Sequence, residues 1–157
     1  MPIPHARRMN LIALALFITA LVALVAFHLL PGFVSSGDEV LPGWAVWTIL
    51  PELLAEMPGE PLIMIIFASF ITSAFLVLAS PFVAGVLRKS RIAWWTVTIS
   101  SGAAFFGLSG ILLYQLALDP SSSSSGFNCL AAAQMLQFLG LLFIRREIPA
   151  APEVDPA

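Results

Sequence analysis

The chain has 157 residues, of which 59% are hydrophobic and 10% are charged, with a formal net charge of −2 and a mean hydropathy of +0.97. Soluble domains carry about 25% charged residues, so this composition excludes an ordinary water-soluble fold and indicates lipid as the solvent. The single cysteine, Cys129, excludes an intrachain disulfide and any paired-cysteine redox or zinc motif.

Apolar segments long enough to cross a hydrocarbon core of about 30 Å recur along the chain. They predict membrane-spanning helices at about residues 9–30, 61–87, 92–118 and 127–144. The first segment is longer than the apolar region of a signal peptide, so we expect it to be retained as a helix. Pro61 suits the first turn of the second helix. Pro81 lies inside the same helix and removes a backbone donor, so we expect a kink there.

The predicted fold is therefore all-α. We expect an integral membrane protein with an up-down-up-down bundle of four transmembrane helices. This single domain would occupy residues 1–148, and a flexible, proline-rich tail would follow at residues 149–157.

The loop at residues 31–60 carries apolar side chains at helical spacing. They are Trp44, Trp47, Leu50, Leu54 and Met57. Glu52, Glu56 and Glu60 recur every four residues on a different face. This pattern predicts a short amphipathic helix on the membrane interface, with its Trp rings at the headgroup level. We expect Pro51 to divide that helix.

All basic residues lie in three clusters that alternation of the spans places on one side of the membrane. The clusters are Arg7/Arg8, Arg88/Lys89/Arg91 and Arg145/Arg146. The opposite loops contain acidic residues but no Lys or Arg. The positive-inside rule then predicts cytoplasmic N- and C-termini, and we expect a bacterial inner membrane.

The predicted spans are almost free of ionisable groups. Proton-coupled transporters need such groups inside the membrane, and only His28, near the outer end of the first span, qualifies. We expect His28 to bond to a lipid headgroup or the loop, with a ligand-binding role as the alternative. The membrane serines have no base at their depth, and no Ca²⁺-loop spacing is present. The sequence therefore favours a protein that is not an enzyme and holds no cofactor or metal.

Small residues form a row in the third span, at the 3.5-residue spacing of a left-handed helix pair. The row runs through Ser100, Ala103, Gly107 and Gly110. Small residues let helix backbones approach closely in lipid, so we expect the third span to be the most enclosed helix. Packing within the bundle and packing against another subunit both remain open.

Gln134 and Gln137 lie three residues apart in the fourth span. A buried amide in hydrocarbon requires hydrogen-bond partners, and we expect them among Ser69, Ser73, Ser100, Tyr114 and Gln115. This group is a candidate intramembrane polar site, serving either helix packing or a ligand.

These observations favour a non-catalytic membrane subunit or scaffold of a larger complex, which packs through small-residue rows and presents Trp44, Trp47 and the glutamates of the loop to a partner. The alternative is a binding or carrier protein for a lipid or quinone-like apolar ligand, held between the third and fourth spans. We expect membrane lipids and other membrane subunits, or further copies of this chain, as partners, and no nucleic acid.

Overall fold

The computed structural model describes residues 5–34, 40–118 and 124–144. In chain order the elements are α1 (His5–Leu29), β1 (Pro31–Val34), β2 (Val40–Pro42), a 3₁₀ turn (Gly43–Ala45), α2 (Val46–Glu56), α3 (Pro61–Lys89), α4 (Arg91–Leu118) and α5 (Ser125–Phe143). The helices α1, α3, α4 and α5 are long and apolar enough to cross a membrane. The predicted bundle of four long, apolar helices is thus confirmed among the described residues. The proline-rich tail and the basic pair Arg145/Arg146 lie outside the described residues.

Helix boundaries follow the local sequence signals. Pro61 opens α3, where its missing N–H costs no hydrogen bond. Only Ser90 separates α3 from α4, and its hydroxyl accepts the backbone N–H of Ala93 at 3.2 Å. Ser124 caps α5 in the same way, accepting the N–H of Phe127 at 3.2 Å. α3 runs as one helix through Pro81, and the kink expected there stays a prediction.

Neighbouring long helices run antiparallel. Phe27 near the end of α1 meets Phe127 near the start of α5, with ring centroids 6.5 Å apart. At the other end of this pair, Phe17 packs beside Gly140. α4 and α5 are also antiparallel, since the Trp94 indole N–H near the start of α4 donates to the Leu141 carbonyl near the end of α5.

The buried apolar residues form two clusters along the bundle. One lies at the end that carries the 31–60 loop, here called the loop end, and includes Phe27, Phe70 and Leu130. The other lies at the opposite end and includes Phe17, Leu87 and Leu141. Among the described residues, α5 is the most enclosed of the long helices. The expectation that α4 is the most enclosed was wrong.

Large apolar side chains also cover the outside of the bundle. Every long helix exposes at least two of them, and examples are Val22, Phe75, Phe82, Ile92, Phe106 and Leu142. Soluble monomers rarely expose contiguous apolar surface of this extent. This outer surface has the character of one solvated by lipid.

The loop end contains strands that the all-α prediction missed. β1 and β2 pair antiparallel, with Val34 opposite Val40. The N–H of Gly43 then donates to the Leu30 carbonyl at 3.0 Å, which ties the hairpin to the end of α1. A Cβ on Gly43 would lie 2.0 Å from the Phe27 carbonyl oxygen, so only glycine permits this approach.

The loop helix also differs from its prediction. Pro51 lies inside α2, which runs from Val46 to Glu56 without a break. Proline removes one hydrogen bond of the ladder, but Val46 and Leu50 are buried in the loop-end cluster. Burial of this face holds the helix through the proline, so the predicted division at Pro51 was wrong.

We predict that Gly140→Ala destabilises the bundle. A Cβ at this position would lie 2.5 Å from Cε1 of Phe17 and 3.3 Å from the Ala13 carbonyl oxygen, so the fully buried Phe17 ring would have to shift. We expect a loss of about 1–3 kcal/mol, typical of overpacking, measured as reversible unfolding in detergent. Gly85→Ala is the matched control, because a Cβ there meets nothing within 4 Å. Equal stability of the two variants would contradict the α1–α5 packing.

Candidate functional site

Gln137 connects three helices through its side-chain amide. It lies on α5, is fully buried, and its Nε2 donates to the Ser80 hydroxyl on α3 at 3.1 Å. Its Oε1 accepts the hydroxyl hydrogen of Ser101 on α4. Ser80 in turn donates to the Leu76 carbonyl at 2.6 Å. Each polar atom of this group, here called the Gln137 cluster (Gln137, Ser80 and Ser101), therefore has a partner.

The hydrogen-bond partners of Gln137 differ from the predicted ones. Ser69 and Ser100 belong to the same helices as the true partners, but Ser80 and Ser101 make the hydrogen bonds. The side chains of Tyr114 and Gln115 lie outside the described residues. Distance from the Ser90 turn indicates the level of Ser80 and of the Ser100/Ser101 pair along the bundle, but it does not distinguish Ser101 from Ser100.

Gln134 differs sharply from Gln137. It is also fully buried, yet neither its Nε2 nor its Oε1 has a hydrogen-bond partner. The hydroxyls of Ser73 on α3 and Thr98 on α4 are buried and unpartnered as well. An unpaired polar group in hydrocarbon costs several kcal/mol. The buried polar side chains of the described residues thus divide into one bonded cluster and three groups without partners.

The row of small residues on α4 lies mostly off the buried face. Ala103 and Gly110 are exposed, and Ser100 and Gly107 are half-buried. A Cβ on Gly107 would lie 3.1 Å from the Ser69 hydroxyl, so the row approaches α3 at that point. The buried face of α4 carries Thr98, Ser101 and Ala104 instead. Packing inside this chain accounts for only part of the row.

His28 forms a hydrogen-bonded contact with the loop helix. The Trp47 indole N–H donates to His28 Nε2 at 3.0 Å, while His28 Nδ1 lies 2.8 Å from the Leu24 carbonyl oxygen. A carbonyl oxygen only accepts, so Nδ1 carries the proton and Nε2 is the acceptor. Trp47 also packs edge-on against Phe70, with ring centroids 5.0 Å apart. His28 therefore serves to hold α2 on the bundle.

The predicted loop face is divided between two environments. Leu50 is buried, whereas Trp44 and Met57 are 55% and 47% exposed. Glu52, Glu56 and Glu60 are exposed, as a solvated face requires. Trp47 is 44% exposed but bonded to this chain's own α1. Trp44 thus remains available to a partner, while Trp47 is partly engaged in holding α2 against the bundle.

An apolar groove of about 400 Å³ lies between α1 and α3 beneath Trp47. Its walls include Leu21, Val25, Ile71, Ala74 and Leu78, and His28 lines its loop end. The volume is within the range of small-molecule sites. The predicted ligand position between the third and fourth spans does not match this groove, and Gln134 and Gln137 do not line it.

The described residues contain no group of three or more His, Cys, Asp or Glu side chains arranged to hold a metal ion. Comparison with protein-family models, with curated proteins and with solved structures finds no match to this chain.

We predict that Gln137→Leu destabilises the protein by about 1–3 kcal/mol, because it leaves the buried Ser101 hydroxyl without its acceptor. The measurement is thermal or denaturant unfolding in detergent. Adding Ser101→Ala should recover part of the loss, since removing both partners is less costly than removing one. Strict additivity of the two substitutions would show that the two side chains do not interact.

Proposed function

We propose that this protein is a non-catalytic membrane subunit or scaffold that associates with other membrane helices through α4. The observation that carries the proposal is the exposure of Ala103 and Gly110 in a row of small residues. A helix that meets only lipid gains nothing from such a row, whereas a second helix can approach it closely. The exposed indole of Trp44 supports a further contact at the loop end, since Trp is enriched at interfaces.

The proposed orientation has both termini in the cytoplasm of a bacterial cell. The even number of candidate spans supports it, because four crossings return the chain to its starting side. The basic residues around the α3–α4 turn, Arg88, Lys89 and Arg91, would then face the cytoplasm with both ends. The 31–60 loop, with its exposed glutamates, would lie on the other side.

We predict that reporter fusions will report this orientation. A reporter active only in the cytoplasm should work when fused after Ala157 and fail when inserted within Ser121–Ser125. A reporter active only outside the cytoplasm should give the opposite pattern. Exported activity after Ala157 would overturn the orientation, and activity of both reporters at one site would show that the chain inserts in two directions.

We predict that Ala103→Leu with Gly110→Leu abolishes association. A Cβ on Gly110 meets nothing within 4 Å, and Ala103 is exposed, so the bundle should tolerate both leucines. Mass determination after purification in mild detergent measures the complex, and circular dichroism checks the fold.

Gly85→Leu on α3 is the matched control, because its added side chain also enters open space. We expect the complex to survive Gly85→Leu and to dissociate in the α4 variant. A native mass corresponding to the bare chain in the wild type, or an unchanged complex in the α4 variant, would overturn the proposal.

A second candidate function is the binding of a lipid or quinone-like apolar ligand. The α1/α3 groove favours it, because its walls are apolar and Trp47 and His28 close its loop end. In this case the same purification should carry a small apolar molecule. Val25→Trp should displace that molecule, since Val25 lines the groove, whereas Val22→Trp, at another exposed position of α1 outside the groove, should not.

The two functions therefore respond to different substitutions. Loss of a partner chain only in the α4 variant supports the subunit. Loss of a small molecule only in Val25→Trp, with the complex intact, supports the carrier.

A further inference from the structure

The unpartnered amide of Gln134 lies in the interior of the bundle, next to the Gln137 cluster. Gln134 is fully buried, and both its oxygen and its nitrogen are without hydrogen bonds. Ser73 on α3 is also fully buried with an unpartnered hydroxyl. The neighbouring helices α3 and α5 thus each bury a polar side chain that can both donate and accept, and no direct hydrogen bond joins these two side chains.

Helix geometry gives the separation of these two side chains along the bundle axis. Ser80 and Gln137 are hydrogen-bonded and therefore share a level along the bundle. At a rise of 1.5 Å per residue, Ser73 lies about 10.5 Å from that level and Gln134 about 4.5 Å, both toward the loop end. The remaining axial gap of about 6 Å matches two hydrogen bonds through a bridging water.

The helix directions also favour the bridge. Side chains on an α-helix lean toward its N-terminus, and the N-terminus of α5 is at the loop end, beside Gly32. The Gln134 side chain therefore extends toward the loop end, as that of Gln137 does, and the axial gap between its amide and Ser73 stays at about 6 Å. Ser73 and Ser80 are seven residues apart and so lie on one face of α3, the face that already bonds to α5 through Gln137.

We propose that Gln134 and Ser73 bind a buried water molecule that links α5 to α3 inside the membrane domain. Water fits the chemistry, because the amide and the hydroxyl each offer a donor and an acceptor. A charged ligand does not fit, since residues 61–87, 92–118 and 125–143 contain no ionisable side chain except the Cys129 thiol and the Tyr114 phenol. Buried waters of this kind make about three hydrogen bonds to otherwise unsatisfied polar groups.

The experiment measures contact between water and each glutamine side chain. The chain contains only three glutamines, Gln115, Gln134 and Gln137, so selective isotope labelling gives three side-chain amide signals. Solid-state NMR of the protein in phosphatidylcholine bilayers detects magnetisation transferred from water to those amides. We expect transfer to Gln134, assigned by its loss in Gln134→Leu, and much weaker transfer to Gln137, whose amide is bonded to Ser80 and Ser101. Ser73→Ala should reduce the Gln134 transfer by at least half.

Thermal unfolding separates a bound water from an amide that is merely unpaired. If water bridges Gln134 and Ser73, Gln134→Leu should lower the melting temperature by a few degrees, about the effect of losing one such link. If the amide has no partner, replacing it with leucine should raise the melting temperature, because an unmet polar group is removed. A raised melting temperature, absent water transfer at Gln134, or transfer that Ser73→Ala leaves unchanged would each overturn the proposal.

Discussion

The hydrogen bonds of Gln137 join α5 to α3 and α4 at one level inside a mostly apolar bundle. Hydrophobic burial gives little preference for one arrangement of helices in lipid, because the lipid tails are as apolar as the helix surfaces. A buried amide is more selective, since sliding or rotating α5 would leave it unpaired in hydrocarbon. The register of three helices therefore depends on this cluster, and α1 then packs closely along α5 where Phe17 meets Gly140.

The long helices could be predicted from the sequence, because a membrane span requires length and apolar composition, and both are local properties. Pro61 marked the start of α3 correctly for the same reason. The face of α4 that is buried could not be predicted in this way. A row of small residues shows which positions share one face, but not which neighbour, if any, covers that face. Thr98 and Ala104 on the adjacent face are buried instead.

The loop end was predicted least well because its structure depends on long-range contacts. Pro51 would end an isolated helix, yet burial of Val46 and Leu50 against the bundle keeps α2 continuous. The hairpin is held by the Leu30 carbonyl and by the Ser124 hydroxyl, which donates to the Gly32 carbonyl at 3.0 Å. The periodicity of residues 44–57 predicted the helix, but it did not show that Trp47 would find its hydrogen-bond acceptor on α1.

The buried polar residues of this bundle and the exposed small residues of α4 have separate roles. The amides and hydroxyls lie inside, on faces of α3, α4 and α5 that no other chain can reach, so they determine how this chain folds. The exposed part of the small-residue row, at Ala103 and Gly110, lies outside that interior and is not covered by the described part of the chain. A protein whose interior is specified by one set of residues can change the other set without unfolding. Association through α4 would then be adjustable independently of the fold, which is the property a subunit of a membrane complex requires.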